Sequence, residues 1–322
     1  TMTMMVASHV WRQGPCAEAG AVVRLSDRPS LCMSLMDDTA AVGSSDHAIY
    51  TVHIPSATLR NQLYHSRRNI TSVGLGLGGL GGLGGSGGLS GLGGHSEWVT
   101  AVSHLHDGRL LSGGMDSKLF LWNSSSTPSR CRELKGGNHT ASISGVKAFT
   151  TTNNNNNNTN TNCSSAMKSM VVSSSYDKSL MLWDVGRDHG KHVATMRGHV
   201  GAVMAFVVVG GHLSSGARVV SGGRDGGVIA WDVGDSSASL LVHRKSAHRG
   251  HVTSLEVLKC GVGGAQELYL SGGQDGVLKV WDCRANSPVH SQLLHRYYII
   301  VGIESVTSLS HAICIGCKFC FK

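Results

Sequence analysis

Residues 267–284 read ELYLSGGQDGVLKVWDCR, and this stretch decides the fold. Two short apolar runs, Leu268–Leu270 and Val277–Trp281, flank the turn sequence Gly-Gly-Gln-Asp-Gly. Apolar runs joined by a turn rich in Gly and Asp are typical of a β-hairpin. Three close copies precede it, at residues 110–123, 171–184 and 219–232. Each copy has a Ser four residues before the turn Asp and a Trp six residues after it.

A fifth, degenerate copy at residues 41–53 keeps the turn Asp but has Val42 and Val52 at the Ser and Trp positions. The five turn aspartates are Asp46, Asp116, Asp177, Asp225 and Asp275, and they are 70, 61, 48 and 50 residues apart. The two long gaps contain low-complexity tracts of 21 residues at 74–94 and of 12 residues at 151–162. Without these tracts both gaps are 49 residues long. Such a constant period predicts one supersecondary unit repeated along the chain, with loops inserted into it.

The repeat resembles that of WD40-repeat proteins over roughly residues 31–284. The family pattern is a Gly-His dipeptide, a strand, then a Ser-x-x-x-Asp hairpin that ends in Trp-Asp. Gly94-His95, Gly198-His199 and Gly250-His251 supply the dipeptide, and Asn138-His139 replaces it in one repeat. The resemblance implies an all-β propeller whose blades are four-stranded antiparallel sheets.

We place about five recognisable blades in residues 31–295, after a poorly patterned segment at 1–30. The tail at 296–322 lacks the hairpin pattern. Both tracts are expected to be loop inserts, because polar Asn runs and Gly-rich runs cannot build a core. Five blades are fewer than the seven common in the family, and an open ring exposes strand edges. Two explanations stay open: either the chain ends form unrecognised blades, or the sequence is an incomplete seven-bladed ring, truncated or mis-spliced.

Each of the four close repeats contains a His, a Ser, an Asp and a Trp, and three of these four residue types are the parts of a hydrolase triad. The resemblance to WD40 proteins implies a structural relay instead, in which Trp bonds to Ser, Ser to His and His to the turn Asp. A catalytic site is needed once, whereas a structural clamp is needed in every blade. The four sets are His95, Ser112, Asp116 and Trp122; His139, Ser173, Asp177 and Trp183; His199, Ser221, Asp225 and Trp231; and His251, Ser271, Asp275 and Trp281.

Basic residues are candidates for partner binding. Residues 243–249 read HRKSAHR and include Arg244, Lys245 and Arg249, while Arg224 lies inside the fourth hairpin turn. Such groups bind acidic or phosphorylated peptides through charge-assisted hydrogen bonds. A solvated loop without a partner is the alternative for the 243–249 cluster. Trp98 is a further candidate anchor, with burial in the core as its alternative.

The ending Trp281-Asp282-Cys283-Arg284 resembles a box of WD40 substrate receptors that dock on the triple-propeller adaptor of cullin-RING ubiquitin ligases. In those receptors an exposed Arg at the position of Arg284 contacts the adaptor, and we add Asp282 to the candidate residues. The alternative is an ordinary blade ending followed by a surface Arg.

Composition narrows the remaining classes of partner, cellular compartment and site. The formal charge of +8 fits acidic partners but does not require nucleic acid. Nine cysteines, an odd number, indicate reduced thiols in the cytoplasm or nucleus. Three of them, Cys314, Cys317 and Cys320, have zinc-like spacing without an obvious fourth ligand. The start lacks a secretory signal, and the Gly/Leu tract is too weakly apolar for a membrane span. We predict a non-catalytic protein-interaction scaffold with no catalytic residue, cofactor or metal site.

Overall fold

The computed structural model describes residues 23–63, 94–123, 130–152, 167–186, 190–210, 217–234, 237–258, 268–283 and 287–293. Within these ranges, twenty β-strands form five antiparallel sheets of four strands each, and no helix occurs. The prediction of an all-β fold made of four-stranded antiparallel sheets is confirmed. The predicted hairpin at the fifth turn Asp corresponds to two neighbouring strands, Leu268–Gly273 and Val277–Asp282.

Each sheet is a meander of four strands that follow one another along the chain, and we call the sheets blades 1 to 5. Blade 1 contains β1 Ser30–Met36, β2 Thr39–Ser44, β3 Ile49–His53 and β4 Thr58–Leu63. Blade 2 contains β5 Val99–His104, β6 Leu110–Gly114, β7 Leu119–Asn123 and β8 Arg130–Glu133. Blade 3 contains β9 Ile143–Thr152, β10 Met167–Ser175, β11 Ser179–Val185 and β12 Gly190–Arg197. Blade 4 contains β13 Val203–Gly210, β14 Ala217–Gly223, β15 Val228–Val233 and β16 Ala238–Arg244. Blade 5 contains β17 Val252–Leu258, β18 Leu268–Gly273, β19 Val277–Asp282 and β20 His290–Leu293.

The core lies between the blades. The first strands of successive blades contact one another in the order β1, β5, β9, β13, β17. Side chains alternate between the two faces of a strand, so each of blades 2 to 4 packs one set on the preceding blade and the other set on the following blade. In blade 2, for example, Trp122 packs with residues of blade 1, whereas Leu121 packs with residues of blade 3. The apolar runs in the sequence are therefore buried on both faces of the sheet.

The Asn-rich insert begins two residues later than the low-complexity pattern predicts. Thr151 and Thr152 belong to β9 and pair with Lys168 and Met167 of β10. Thr is well suited to a pleated strand, so its pairing with β10 overrides the low-complexity pattern. Residues 1–22, most of both inserts and the tail at 296–322 lie outside the described residues.

Candidate protein-interaction face

A buried chain of hydrogen bonds ties together the four characteristic side chains of blade 2. Trp122 Nε1 donates to Ser112 Oγ over 2.7 Å. Ser112 Oγ lies 2.7 Å from His95 Nε2, and His95 Nδ1 lies 3.0 Å from an oxygen of Asp116. One tautomer satisfies every group, with the Ser hydroxyl donating to Nε2 and Nδ1–H donating to the carboxylate.

The same three contacts recur in blades 3 and 4 at distances of 2.8 to 3.2 Å. The residues are His139, Ser173, Asp177 and Trp183 in blade 3, and His199, Ser221, Asp225 and Trp231 in blade 4. Each set joins the loop before the first strand of a blade to the turn between its second and third strands. The contacts thereby fix two connections at one edge of the sheet.

In blade 5 the prediction of His251 was wrong, because His248 occupies this position. His248 Nε2 lies 2.7 Å from Ser271 Oγ, and its Nδ1 lies 3.0 Å from Asp275. Trp281 Nε1 donates to Ser271 Oγ over 2.7 Å. The Gly-His dipeptide misled the assignment, whereas the distance to the first strand identifies the correct histidine. His95, His139, His199 and His248 each lie four residues before the first residue of the inner strand of their blade.

Blade 1 stabilises its turn in another way. Tyr50 Oη donates to Asp46 over 2.5 Å, and the Ala48 N–H donates to the same carboxylate over 3.1 Å. A Tyr hydroxyl here takes the place of the histidine of the other blades. Burial alone would raise the pKa of Asp46, but the hydrogen bonds that it accepts hold the pKa below its usual value.

The ionisation of the relays follows from burial and pairing. Burial lowers the pKa of His139, His199 and His248, and the paired carboxylates only partly oppose this effect. For the turn aspartates, burial opposes ionisation, but hydrogen bonds from backbone N–H groups and from the histidines lower the pKa overall. These imidazoles are therefore neutral near pH 7 and the carboxylates are charged. The four serines are fully buried, so the relays hold the blade together at sites that a substrate does not reach.

The relays support one edge of the blades, and at this edge two residues of each blade lie side by side. In every blade, the residue before the turn Asp donates its backbone N–H to a carbonyl just before or at the start of the first strand, over 2.7 to 3.0 Å. The pairs are Ser45 with Pro29, Met115 with Trp98, Tyr176 with Ser142, Arg224 with Ala202, and Gln274 with His251. The residue before the turn Asp differs from blade to blade, and this variation is visible in the sequence, although only Arg224 was among the predicted contacts. This edge is referred to below as the interaction face.

Apolar side chains are exposed on the part of the interaction face that blades 2 and 3 form. Trp98 is 46% exposed, Met115 43% and Tyr176 46%. They line a depression of ≈ 590 Å³, together with Leu31 of blade 1 and Met204 of blade 4. Trp98 is thus a surface residue at a site shared by four blades, and Met115 and Tyr176 are neighbours that the repeat pattern did not single out.

Basic side chains are exposed on the blade 4 and blade 5 part of the chain. Arg224, Lys245 and Arg249 are all exposed. Arg224 occupies the turn position equivalent to Met115, and the Arg249 N–H donates to Asp275 over 2.9 Å. Arg224 and Arg249 therefore extend the interaction face beyond its apolar depression.

Arg244, predicted to bind a partner, is instead buried between blades 4 and 5. Its guanidinium lies 5.1 Å from the ring centre of Trp281, and Nη1 donates to Tyr269 Oη over 2.8 Å. Burial lowers the pKa of Arg244 and raises that of Tyr269. The alternation of β16 explains the error, because Arg244 pairs with Val228 on the face that packs against blade 5.

The structure describes only part of the box at the end of blade 5. Asp282 is half-buried, and its carbonyl oxygen accepts a hydrogen bond from Arg244 Nη2 over 2.9 Å. Arg284, the residue on which adaptor docking depends, lies outside the described residues, as do Cys314, Cys317 and Cys320. In the described ranges, His, Cys, Asp and Glu side chains form no group of three or more that is arranged to hold a metal ion.

The part of the chain that the structure describes contains no helix that is long and apolar enough to span a bilayer.

Five stacked meanders, four of them closed by the same relay, define a β-propeller repeat protein. Comparison with known families agrees: the family described as WD domain, G-beta repeat matches residues 89–123, 133–184, 190–232 and 240–282. These matches cover more than half of the chain, and the chain belongs to the WD40-repeat family.

Two curated relatives illustrate the range of similar proteins. The chain is 28% identical over 212 residues to the ribosome biogenesis protein WDR12 homolog of Chlamydomonas reinhardtii, and this alignment covers 61% of this chain and 44% of that protein. It is 30% identical over 116 residues to the F-box/WD repeat-containing protein sel-10 of Caenorhabditis elegans, and this alignment covers 36% of this chain and 17% of that protein. The chain thus spans less than half the length of these relatives.

Solved structures show the same fold. The chain superposes on the structure of U3-55K with a TM-score of 0.59 and 19% identity, covering 85% of this chain and 67% of that one. The crystal structure of the RRP9 WD40 repeats gives a TM-score of 0.59 and 20% identity, covering 85% and 66%. At such identities the likeness concerns the fold alone.

Proposed function

We propose that this chain is a non-catalytic scaffold that binds other proteins on its interaction face. The observation that carries the proposal is the depression lined by Trp98, Met115 and Tyr176, where large side chains are exposed on a rigid frame. Exposed aromatic residues at the centre of a patch are typical of binding hot spots. The relays beneath the depression hold its loops in place, which reduces the entropy lost on binding.

Affinity capture with mass spectrometry tests this proposal. We expect the double variant Trp98→Glu, Tyr176→Glu to lose the proteins that the intact chain retains, because burying two unpaired charges in an apolar contact is costly. The matched control is Leu240→Glu, which changes an exposed apolar residue on the outer strand of blade 4. Equal thermal stability of the variants excludes unfolding as the cause. An unchanged set of captured proteins would contradict the proposal.

The exposed basic residues support a partner that carries acidic or phosphorylated groups. Arg224 and Arg249 are the candidates for contact on the interaction face, with Lys245 next to it. Replacing all three with Ala is expected to weaken capture and to reduce its dependence on salt, since exposed charges are screened by ions. The relatives named as ribosome biogenesis proteins support testing ribosomal precursor complexes first. We place this scaffold in the cytoplasm or the nucleus, which a fluorescent tag would test.

The second candidate function is that of a substrate receptor of a cullin-RING ubiquitin ligase. It is supported by the sequence Trp281-Asp282-Cys283-Arg284 and by the similarity of one segment to a protein named as F-box/WD repeat-containing. Co-purification with the triple-propeller adaptor, lost in Arg284→Ala, is the expected result for this role. An intact chain that does not bind the adaptor would exclude it.

A further inference from the structure

The inner rim of the interaction face changes its chemical character from blade 2 to blade 4. The position before the turn Asp is Met115 in blade 2, Tyr176 in blade 3 and Arg224 in blade 4. The first strands of these three blades contact one another in sequence, so the three equivalent positions follow one another along the rim. The rim therefore passes from two large, mainly apolar side chains to a cation over the width of one blade.

The Ser and Thr side chains that line the apolar depression already have partners within the protein. Thr100 Oγ1 donates to the Ile143 carbonyl over 2.6 Å, and Ser144 Oγ lies 2.8 Å from Ser174 Oγ. Ser142 Oγ donates to a carbonyl of blade 2 over 3.4 Å. A polar group of a ligand would lose hydrogen bonds to water here without gaining new ones, which is unfavourable. The depression therefore favours a large apolar side chain.

Arg224 lies at the blade 4 end of this depression. Its backbone N–H donates to the Ala202 carbonyl over 2.7 Å, and Met204, two residues further along, lines the depression. The side chain of Arg224 is exposed and makes no ion pair with the residues that the structure describes. A guanidinium binds a carboxylate or a phosphate through paired, charge-assisted hydrogen bonds. An apolar site and an anion site are thus adjacent.

The exposed charges of the interaction face are mostly positive. Within two positions of a relay His or Asp, the exposed charged residues are five basic residues and one acidic residue, namely Lys118, Lys178, Arg197, Arg224 and Arg249, and Glu97. Such a surface attracts anionic partners. The acidic Glu97 directly precedes Trp98 in blade 2, so the negative charge of a ligand is favoured at the blade 4 end and disfavoured at the blade 2 end.

Resting on the proposed function in protein binding, we infer that the interaction face recognises an extended peptide segment in which a large apolar side chain lies close to an oxyanion. The apolar side chain packs against Trp98 and Tyr176, and the carboxylate or phosphate pairs with Arg224. The distance between the two groups along the segment is set by the width of one blade. A Lys or Arg in place of the acid meets Arg224 with like charge and is rejected.

Short synthetic peptides, measured on the full chain by fluorescence anisotropy, test this recognition. Each peptide carries one Leu, Phe or Trp in a Gly/Ser background and, at varied distances on either side, a single Asp, phosphoserine, Lys or Ser. At one favoured distance, Asp or phosphoserine is expected to bind roughly fivefold more tightly than Ser, as for a partly exposed charge pair. Tighter binding of phosphoserine than of Asp would identify phosphate as the preferred oxyanion, and equal binding would show that a carboxylate suffices.

Substitutions of the rim separate the charge pair from the apolar contact. Arg224→Glu is expected to shift the preference from Asp to Lys at the same distance, and Arg224→Gln to remove the preference without reversing it. Trp98→Ala is expected to weaken binding of the Leu, Phe and Trp peptides alike. The matched control is Lys191→Glu, which makes the same change in net charge at an exposed residue of β12 near the opposite edge of blade 3 and should keep the wild-type preference. Equal melting temperatures exclude unfolding as the cause.

Three results would overturn the inference. The first is binding that requires the apolar residue but is equal for Asp, Ser and Lys. The second is a preference for Asp that Arg224→Glu leaves unchanged, since another basic residue would then provide the contact. The third is a chain that binds none of the peptides. The proposed function itself fails separately, when Trp98→Glu, Tyr176→Glu leaves the set of captured proteins unchanged.

Discussion

Replacing each of two neighbouring histidines, His248 and His251, with Ala provides a direct test of the relay in blade 5. His248→Ala removes both the contact of 2.7 Å to Ser271 and the contact of 3.0 Å to Asp275. The Ser271 hydroxyl is fully buried and loses its acceptor, at a cost of about 1–3 kcal/mol. Asp275 retains backbone N–H donors from Arg249 and Val277, so its loss is smaller.

The buried imidazole also leaves a cavity, which adds about 1 kcal/mol. The free energy of unfolding is therefore expected to fall by about 2–4 kcal/mol in His248→Ala, or roughly 2–4 °C in melting temperature for each kcal/mol. His251→Ala is the matched control. His251 uses its backbone carbonyl to accept from Gln274, which Ala also does, so the change should be within about 0.5 kcal/mol.

Urea unfolding monitored by tryptophan fluorescence gives both values under one set of conditions. A stability loss in His251→Ala equal to that in His248→Ala would refute the reassignment. An unchanged midpoint for His248→Ala would refute the view that the relay stabilises the blade.

Two further predictions concern stability. Arg244→Ala is expected to lower the free energy of unfolding by about 2–4 kcal/mol, because the hydrogen bonds and ring contacts of Arg244 lie between blades 4 and 5. Lys245→Ala changes an exposed neighbour and should alter the free energy of unfolding by less than about 0.5 kcal/mol in the same urea titration. Equal effects of the two substitutions would contradict the burial of Arg244. Stability should also decrease as the pH falls below about 6.5, the ordinary histidine pKa, because the lowered pKa values of His139, His199 and His248 mean that the unfolded chain takes up protons first. The stability that these neutral histidines contribute is fully present above that pH and is lost as the pH falls from it through their lower, folded-state pKa values. Melting temperatures measured from pH 8 to pH 5 check this prediction. A melting temperature that stays constant or rises on acidification would contradict it.

The fold was predictable because its signals are local and repeated. A hairpin such as 267–284 is specified by its own apolar runs and turn, and the recurrence of the hairpin implied sheets stacked in a series. The site was less predictable. The depression depends on side chains from four blades, and Met115 and Tyr176 are neighbours only because their blades pack together.

The sequence by itself determined the repeating unit, its hairpin and the recurring Ser, Asp and Trp positions, since these follow from strand alternation and turn chemistry within about fifty residues. The resemblance to WD40 proteins implied the four strands of each blade and the relay. The tertiary structure decided that His248 rather than His251 completes the fifth relay, and that Arg244 is buried while Arg249 is exposed. The physical reason is that burial depends on the adjacent blade, and strand periodicity assigns a residue to a face without showing what lies against that face.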